Sequence, residues 1–271
     1  MQGRTLLTMV AAASLLTATA VAAQESSSKT ASQAAPARTS ELLTQKANAG
    51  DPDAAFRLGA MYERGEGVPQ NAADAVKWYR VAAEKGHAAA QFNLALILAK
   101  GRGVPVNAAE SAQWYEKAAV QGDEQAATNL GILYALGEGV KQDAAQAARW
   151  FRQAAAAGNP VAEYNLGLLY SEQLYSDGKS EADDEAQAAF WLGRAADHGV
   201  VAAQNNLGVF YADGRGVAKD LIQAYKWFAL ATESGDENAV EAVRALEAKL
   251  KPEEVAQGKK LAQEWISAHT K

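Results

Sequence analysis

Five positions carry an amide or guanidinium side chain at one phase of a repeating sequence pattern. Each directly precedes a Leu-Gly or Leu-Ala pair, and the five are Arg57, Asn93, Asn129, Asn165 and Asn206. An amide both donates and accepts hydrogen bonds, which suits the unpaired N–H and C=O groups of an extended peptide. Two interpretations stay open. Either these side chains bind a peptide, or Asn is tolerated at a half-exposed helix position or bonds within its own repeat.

The neighbouring positions vary in a way that selective binding would need. Two residues before three of the asparagines stand Gln91, Glu163 and Gln204. A further candidate contact is Tyr175, in a segment where the fourth repeat is five residues longer than the others. Insertions in repeat arrays fall in loops on one face, sometimes the binding face. A neutral, tolerated insertion is the alternative interpretation of this segment.

Histidine and serine offer no catalytic constellation. The three histidines, His87, His198 and His269, lack the i, i+4 spacing of a helical zinc site, and we interpret them as solvated turn residues. The S-x-x-K strings that begin at Ser26 and Ser176 lack the companion motifs of penicillin-binding enzymes. We therefore expect no catalytic residue, no metal and no cofactor.

Two other motifs have structural explanations. The G-x-G turns that begin at Gly65, Gly101, Gly137 and Gly214 follow helical patterns, whereas a dinucleotide-binding loop follows a strand. Glycine in left-handed geometry at a helix C-terminus explains them. Acidic residues between 177 and 185 lack the calcium-loop pattern, and the dipole of the following helix favours them.

The elements that must position these residues recur at a fixed period. Glycines at 50, 86, 122, 158, 199 and 235 are separated by 36, 36, 36, 41 and 36 residues. A period of roughly 20–50 residues indicates a repeat array rather than a single-core globule. Such arrays present extended surfaces, which usually bind other macromolecules.

Each unit is predicted to be two helices joined by a glycine turn. In the first unit, Asp51 is a suitable N-cap and Pro52 suits the first helical position. Apolar residues then follow at helical spacing up to Gly65, and a second helix begins at about Ala72. The second helix of each unit carries one tryptophan, namely Trp78, Trp114, Trp150, Trp191 and Trp227. We expect each indole to fill the space between adjacent helix pairs.

The repeated motifs resemble those of the Sel-1-like repeat family, relatives of the tetratricopeptide repeats. The shared pattern is A-x-x-x-LG-x-x-Y, then G-x-G-V, then A-x-x-W-[YF]-x-x-AA-x-x-G, over roughly residues 50–235. The resemblance implies an all-α fold, an α/α superhelical solenoid of five helix-turn-helix repeats, used as an adaptor or scaffold. It also implies that the repeated Asn lines a concave groove. One exported branch of the family staples its helix pairs with disulfides, which this chain cannot do because it has no Cys.

The two ends of the chain differ from the repeats. Residues 1–23 are typical of a cleaved signal peptide, with an uncleaved membrane anchor as the alternative. Residues 24–40 are predicted to be a disordered linker, and residues 41–235 hold the five repeats. Residues 236–271 are predicted to form two helices that cap the array, with a docking helix as the alternative. The localisation expected from the signal is periplasmic or secreted.

The formal net charge of -6 narrows the range of partners. An acidic chain without a run of Lys and Arg argues against nucleic acid or an anionic membrane as the main partner. We expect no stable membrane insertion after signal cleavage, and a protein or peptide as partner. The predicted function is a non-catalytic scaffold in the cell envelope. The alternatives are a peptidoglycan-binding or cell-wall-active protein, and a purely structural spacer.

Overall fold

The computed structural model describes residues 29–172 and 180–269, and all regular structure in these ranges is helical. The helices are α1 (Lys29–Asn48), α2 (Pro52–Arg64), α3 (Ala72–Glu84), α4 (Ala88–Lys100), α5 (Ala108–Val120), α6 (Glu124–Leu136), α7 (Ala144–Ala156), α8 (Pro160–Ser171), α9 (Glu181–Asp197), α10 (Val201–Asp213), α11 (Leu221–Glu233), α12 (Glu237–Glu247) and α13 (Pro252–His269). Among these described helices, none combines the length and the apolar character needed to cross a membrane.

The predicted helix boundaries of the first repeat are confirmed. The Asp51 carboxylate accepts hydrogen bonds from the backbone N–H groups of Asp53 and Ala54, and Pro52 opens α2. The helix ends at Gly65, whose φ of 73° is left-handed and whose N–H donates to the Met61 carbonyl. The predicted glycine C-caps at residues 101, 137 and 214 have the same geometry. Glycine is needed there because a side chain disfavours positive φ.

The described residues up to Asp143 form one compact unit, in which helices adjacent in sequence pack in pairs. Helices α2 and α3 of the first repeat pack closely because a glycine of α2 faces an aromatic ring of α3. A Cβ added to Gly59 in α2 would lie 2.7 Å from the Tyr79 ring of α3. The turn glycine Gly139 lies even closer to the start of α5, since an added Cβ would be 2.3 Å from the Ala108 carbonyl carbon.

The described residues from Ala144 onward form the second unit, which contains α7 to α13. Its helix α9 is 17 residues long, whereas the second helices of the other repeats have 13. The additional turn begins with a capping box, in which Ser180 and Asp183 exchange hydrogen bonds between side chain and backbone. At the other end of the unit, α12 and α13 both pack against α11. These are the two helices predicted after Gly235.

A cation lies against the indole of each repeat. The tryptophans are buried except for Trp191, which is half-buried. The cation-to-ring distances are 5.0 Å for Lys77 on Trp78, 3.9 Å for Lys117 on Trp114, 4.8 Å for Arg149 on Trp150, 5.4 Å for Arg194 on Trp191 and 3.9 Å for Lys226 on Trp227. Each cation covers an indole face that would otherwise meet water, so it adds to the burial of the ring.

The N-terminal segment differs in part from its prediction. Helix α1 begins at Lys29, so residues 29–40 of the predicted disordered linker are helical. The physical reason lies in their composition, because the Ala, Gln, Lys and Arg residues among them have high helix propensity. The predicted signal peptide, 1–23, and Tyr175 lie outside the described residues.

Candidate interaction surface

The candidate binding residues occupy equivalent positions on the first helix of each repeat, but their exposure differs. Arg57 is exposed, and Asn93, Asn129 and Asn206 are half-buried. Asn165 is 1% exposed. Arg57, Asn93 and Asn129 belong to the first unit, and the other two belong to the second. We call the first three residues the first-helix face of the first unit.

Two asparagines of this face interact with tyrosines of the preceding helix. The Asn93 amide lies near the Tyr79 hydroxyl and the Asn129 amide lies near the Tyr115 hydroxyl, and each amide acts to lower the pKa of its tyrosine. The Tyr79 hydroxyl also donates to Glu63 Oε2 at 2.6 Å. Burial outweighs this effect and raises the pKa of both tyrosines, so both are neutral at physiological pH. Each asparagine therefore has a neutral polar neighbour on the preceding helix.

In the second unit, the repeated asparagines have different neighbours. Asn206 lies near the Tyr164 hydroxyl of α8, where its amide acts to lower the pKa of that tyrosine. Asn165 Nδ2 donates to the Val161 carbonyl at 2.8 Å, while its buried Oδ1 has no hydrogen-bond partner among the described residues. The residue that corresponds to Tyr79 and Tyr115 is here Phe151, which has no hydroxyl to offer.

Sequence reasoning missed these tyrosine partners, although a signal for them exists. Tyr79 and Tyr115 directly follow the repeat tryptophan, at a position that the motif treats only as aromatic. The signal in the sequence is a tyrosine, rather than a phenylalanine, at this position together with an asparagine in the next helix. This pairing means that part of the hydrogen-bonding capacity of Asn93 and Asn129 is directed to groups within the protein.

The interpretation of Gln91, Glu163 and Gln204 as specificity positions was wrong. All three are buried, at 4%, 0% and 2% exposure. Gln91 Nε2 donates to the Ala83 carbonyl at 3.0 Å and Gln204 Nε2 donates to the Ala196 carbonyl at 3.3 Å. Their side chains point between helices because they lie three residues before the packed Leu, on its face of the helix. A ligand on the first-helix face does not reach them.

Glu163 has a setting unlike that of the two glutamines. Its carboxylate is fully buried, with Oε1 2.6 Å from Arg194 Nη2 and Oε2 2.9 Å from His198 Nδ1. Arg194 and His198 lie at the end of α9, so the carboxylate joins α8 to that end. Two neighbours that carry N–H groups offset the cost of burying this charge.

His87 and His198 lie at turns, as predicted, but they are not merely solvated. His198 contacts Glu163, and His87 Nδ1 accepts from the Ala90 N–H as the N-cap of α4. His269 stacks on Trp265 with ring centroids 4.0 Å apart. Within the described residues, no group of three or more His, Asp or Glu side chains is arranged to hold a metal ion.

Comparison with known proteins agrees with the helical-repeat fold described above. The family model of the Sel1 repeat matches residues 52–87, 88–123, 124–159, 160–200 and 201–236. A crystal structure of a Sel1 repeat protein from Oxalobacter formigenes is 33% identical, with 80% of this chain and 89% of that chain covered and a TM-score of 0.61. No protein with a curated description matches the chain.

A second solved structure is similar over most of this chain. It is c5321, a protective antigen of uropathogenic Escherichia coli strains with an SLR fold, and it is 29% identical with a TM-score of 0.54. The match covers 86% of this chain but only 56% of that protein. The five matched repeats and these two structures confirm the predicted fold class, a helical-repeat solenoid.

Proposed function

The chain belongs to the Sel1 repeat family, whose members generally act as non-catalytic protein-interaction scaffolds, and from this premise we propose that it binds a segment of a partner protein on its first-helix face. The partner segment would be an extended peptide, with backbone groups that meet Asn93 and Asn129 and with Arg57 at one end. In the second unit, Asn206 is the corresponding contact. Tyr175 remains a predicted contact in the longer repeat.

The observation that carries this proposal is the placement of two half-buried asparagines, each beside a tyrosine hydroxyl of the preceding helix. An amide has two N–H donors and a carbonyl acceptor, so one neighbouring tyrosine hydroxyl leaves capacity for a ligand. A half-buried side chain has less conformational freedom to lose when it binds. Asn165 does not share this property, because it is buried.

We further propose that the protein is exported and acts in the cell envelope. The sequence of residues 1–23 supports a cleaved signal peptide. The partner would then be another envelope or secreted protein. Peptidoglycan as the ligand is the competing outcome of the experiment below.

The test is photo-crosslinking in the producing cells, with the probe placed at Gln125. This residue is exposed and lies one turn before Asn129 on α6, so the probe leaves the Asn129 side chain unchanged. The matched control is a probe at Ala109, which is exposed on α5. A discrete protein adduct at 125 that is missing at 109 supports the proposal. Cell-wall fragments, or equal labelling at both sites, overturn it.

A second arm tests the role of the asparagines. Asn129→Ala should lower the adduct yield about tenfold if the amide is a central contact. Tyr115→Phe removes the hydroxyl beside Asn129 but leaves the face itself unchanged. It should give a smaller loss, in the same direction. An unchanged yield in both variants contradicts a role for Asn129.

A further inference from the structure

A pocket in the first unit lies beside the glycine turns of the first two repeats. It has a volume of about 500 Å³. The residues that line it include Glu63, Gln70, Ala72, Ile97, Arg102 and Gly103. Glu63 is at the end of α2, Ala72 begins α3, and Arg102 lies in the turn after α4. Arg102 and Glu63 are the charged residues of this lining, and we call it the Arg102 pocket.

The second unit contains the counterpart of this pocket in the repeat register. Arg102 corresponds to Arg215, Ala72 to Glu185, Glu63 to Ser171 and Ile97 to Phe210. The backbone geometry corresponds as well. A Cβ added to Gly103 would lie 2.4 Å from the Ala72 Cβ, and one added to Gly216 would lie 2.1 Å from the Glu185 carbonyl oxygen. In both units, the turn that carries the arginine therefore lies against the start of the preceding second helix.

In the second unit, the arginine at this place is paired with a carboxylate. Arg215 Nε lies 3.0 Å from Glu185 Oε1, and Arg215 Nη2 donates to the Ser171 carbonyl oxygen at 3.3 Å. The guanidinium carbon is 4.6 Å from the centre of the Phe210 ring. Hydrogen bonds between arginine and carboxylate are among the stronger polar contacts in proteins. The second unit thus shows which group this arginine position accommodates.

In the first unit, the equivalent arginine has no carboxylate partner. Ala72 and Ile97 are smaller than Glu185 and Phe210, which accounts for the open space beside the guanidinium. Within residues 29–172 and 180–269, the Arg102 side chain takes part in no ion pair and no hydrogen bond. A carboxylate from outside the chain can therefore occupy the place at Arg102 that Glu185 occupies at Arg215.

Glu63 sets a second requirement for a ligand of this pocket. It is half-buried, and its Oε2 accepts a hydrogen bond from the Tyr79 hydroxyl at 2.6 Å. A carboxylate offers about four acceptor sites, so Glu63 keeps capacity for another donor. Among the residues that the structure describes, no cation pairs with it. Glu63 repels a second anionic group and attracts an ammonium group. A ligand that matches both charges carries one carboxylate and one ammonium group.

We propose that the Arg102 pocket binds a free α-amino acid with an aliphatic side chain. The ligand carboxylate pairs with Arg102, the ammonium group faces Glu63, and the side chain packs against Ala72 and Ile97. The volume of about 500 Å³ is within the range of small-molecule sites. The pocket includes none of the residues of the first-helix face, so this proposal does not rest on the function proposed for that face.

The test is isothermal titration calorimetry of the full chain with L-leucine as the probe. We expect saturable binding. N-acetyl-L-leucine keeps the carboxylate but lacks the ammonium group, and L-leucinamide lacks the carboxylate, so each should bind at least about tenfold more weakly. No saturation up to about 10 mM L-leucine overturns the proposal. Equal binding of L-leucine and N-acetyl-L-leucine also overturns it, because the pocket would then recognise a carboxylate alone.

Two variants locate the binding at this pocket. Arg102→Gln should weaken the binding of L-leucine about tenfold, and so should Ala72→Glu, whose new carboxylate pairs with Arg102 as Glu185 does with Arg215. An acidic residue is favourable in the first turn of α3, so Ala72→Glu should fold normally, which circular dichroism checks. The matched control is Arg215→Gln, which should bind L-leucine as the unsubstituted protein does. Equal affinities of the Arg102→Gln and Arg215→Gln variants overturn the proposal.

Discussion

At the residue scale, one hydroxyl group decides how the repeated asparagine is bonded. Where a tyrosine follows the repeat tryptophan, as at Tyr79 and Tyr115, the next asparagine has a side-chain partner. Where Phe151 stands instead, Asn165 turns to the backbone of its own helix and its Oδ1 is left without a partner. Neutral hydrogen bonds of this kind contribute about 1 kcal/mol each to stability.

We therefore expect Phe151→Tyr to stabilise the protein by about 1 kcal/mol, because the new hydroxyl gives Asn165 Oδ1 a donor. The converse change, Tyr115→Phe, should lower the free energy of unfolding by a similar amount. Urea denaturation followed by circular dichroism measures both. A destabilising effect of Phe151→Tyr would show that the site has no room for the hydroxyl.

The buried carboxylate of Glu163 gives a second prediction. Glu163→Ala should destabilise the protein by about 3 kcal/mol, since it leaves Arg194 and His198 without their buried partner. Glu163→Gln should cost only about 1 kcal/mol, because glutamine at this position bonds to a backbone carbonyl in the second and fifth repeats. Equal losses in the two variants, measured by thermal unfolding, would contradict this account.

At the element scale, close approach between helices depends on glycines within the first helices. A Cβ added to Gly208 would lie 2.8 Å from the Phe228 ring, as Gly59 would meet Tyr79. The ring is held in a packed core and cannot move aside freely. The intrinsic preference of a helix for Ala over Gly, about 1 kcal/mol, is therefore opposed by overpacking.

Gly208→Ala should consequently destabilise the protein, by about 1–3 kcal/mol. The matched control is Gly193→Ala in α9, where an added Cβ meets nothing within 4 Å. That change should stabilise the protein by up to about 1 kcal/mol. The two substitutions are chemically identical, so opposite signs in urea denaturation isolate the packing effect. The same sign for both would refute it.

At the scale of the whole molecule, buried tyrosines link stability to alkaline pH. Burial raises the pKa of Tyr79, Tyr115 and Tyr225 above the ordinary value of about 10. The folded state therefore holds these protons more tightly than the unfolded state. Their contribution to stability is complete below pH 10 and decreases as pH rises towards the folded pKa values.

The melting temperature should thus fall as pH is raised above about 10, and part of that fall should disappear in Tyr225→Phe. Lysine deprotonation acts in the same range, so the informative quantity is the difference between the two proteins at each pH. That difference should change with pH above about 10 and stay constant below it. A difference that is independent of pH would show that Tyr225 titrates alike in both states.

The repeat period, the caps and the glycine turns could be predicted because each depends on a few residues at fixed spacing. Asp51, Pro52 and Gly65 set their helix ends locally, without help from distant parts of the chain. The candidate site was harder to predict from the sequence, because the burial and bonding of its side chains depend on residues in a neighbouring helix. Gln91 looked like a surface residue, and only the packing of α3 against α4 shows that it is buried.

The indole with its neighbouring cation, present once in each repeat, has a spectroscopic consequence. Tryptophan emission moves to longer wavelength when the ring is hydrated, so each repeat contains its own fluorescent reporter, with Trp265 as the reporter of the C-terminal helix. In a linear array, repeats can open one at a time from either end. Single-tryptophan versions of the chain, with Phe elsewhere, would therefore record the order in which the repeats unravel.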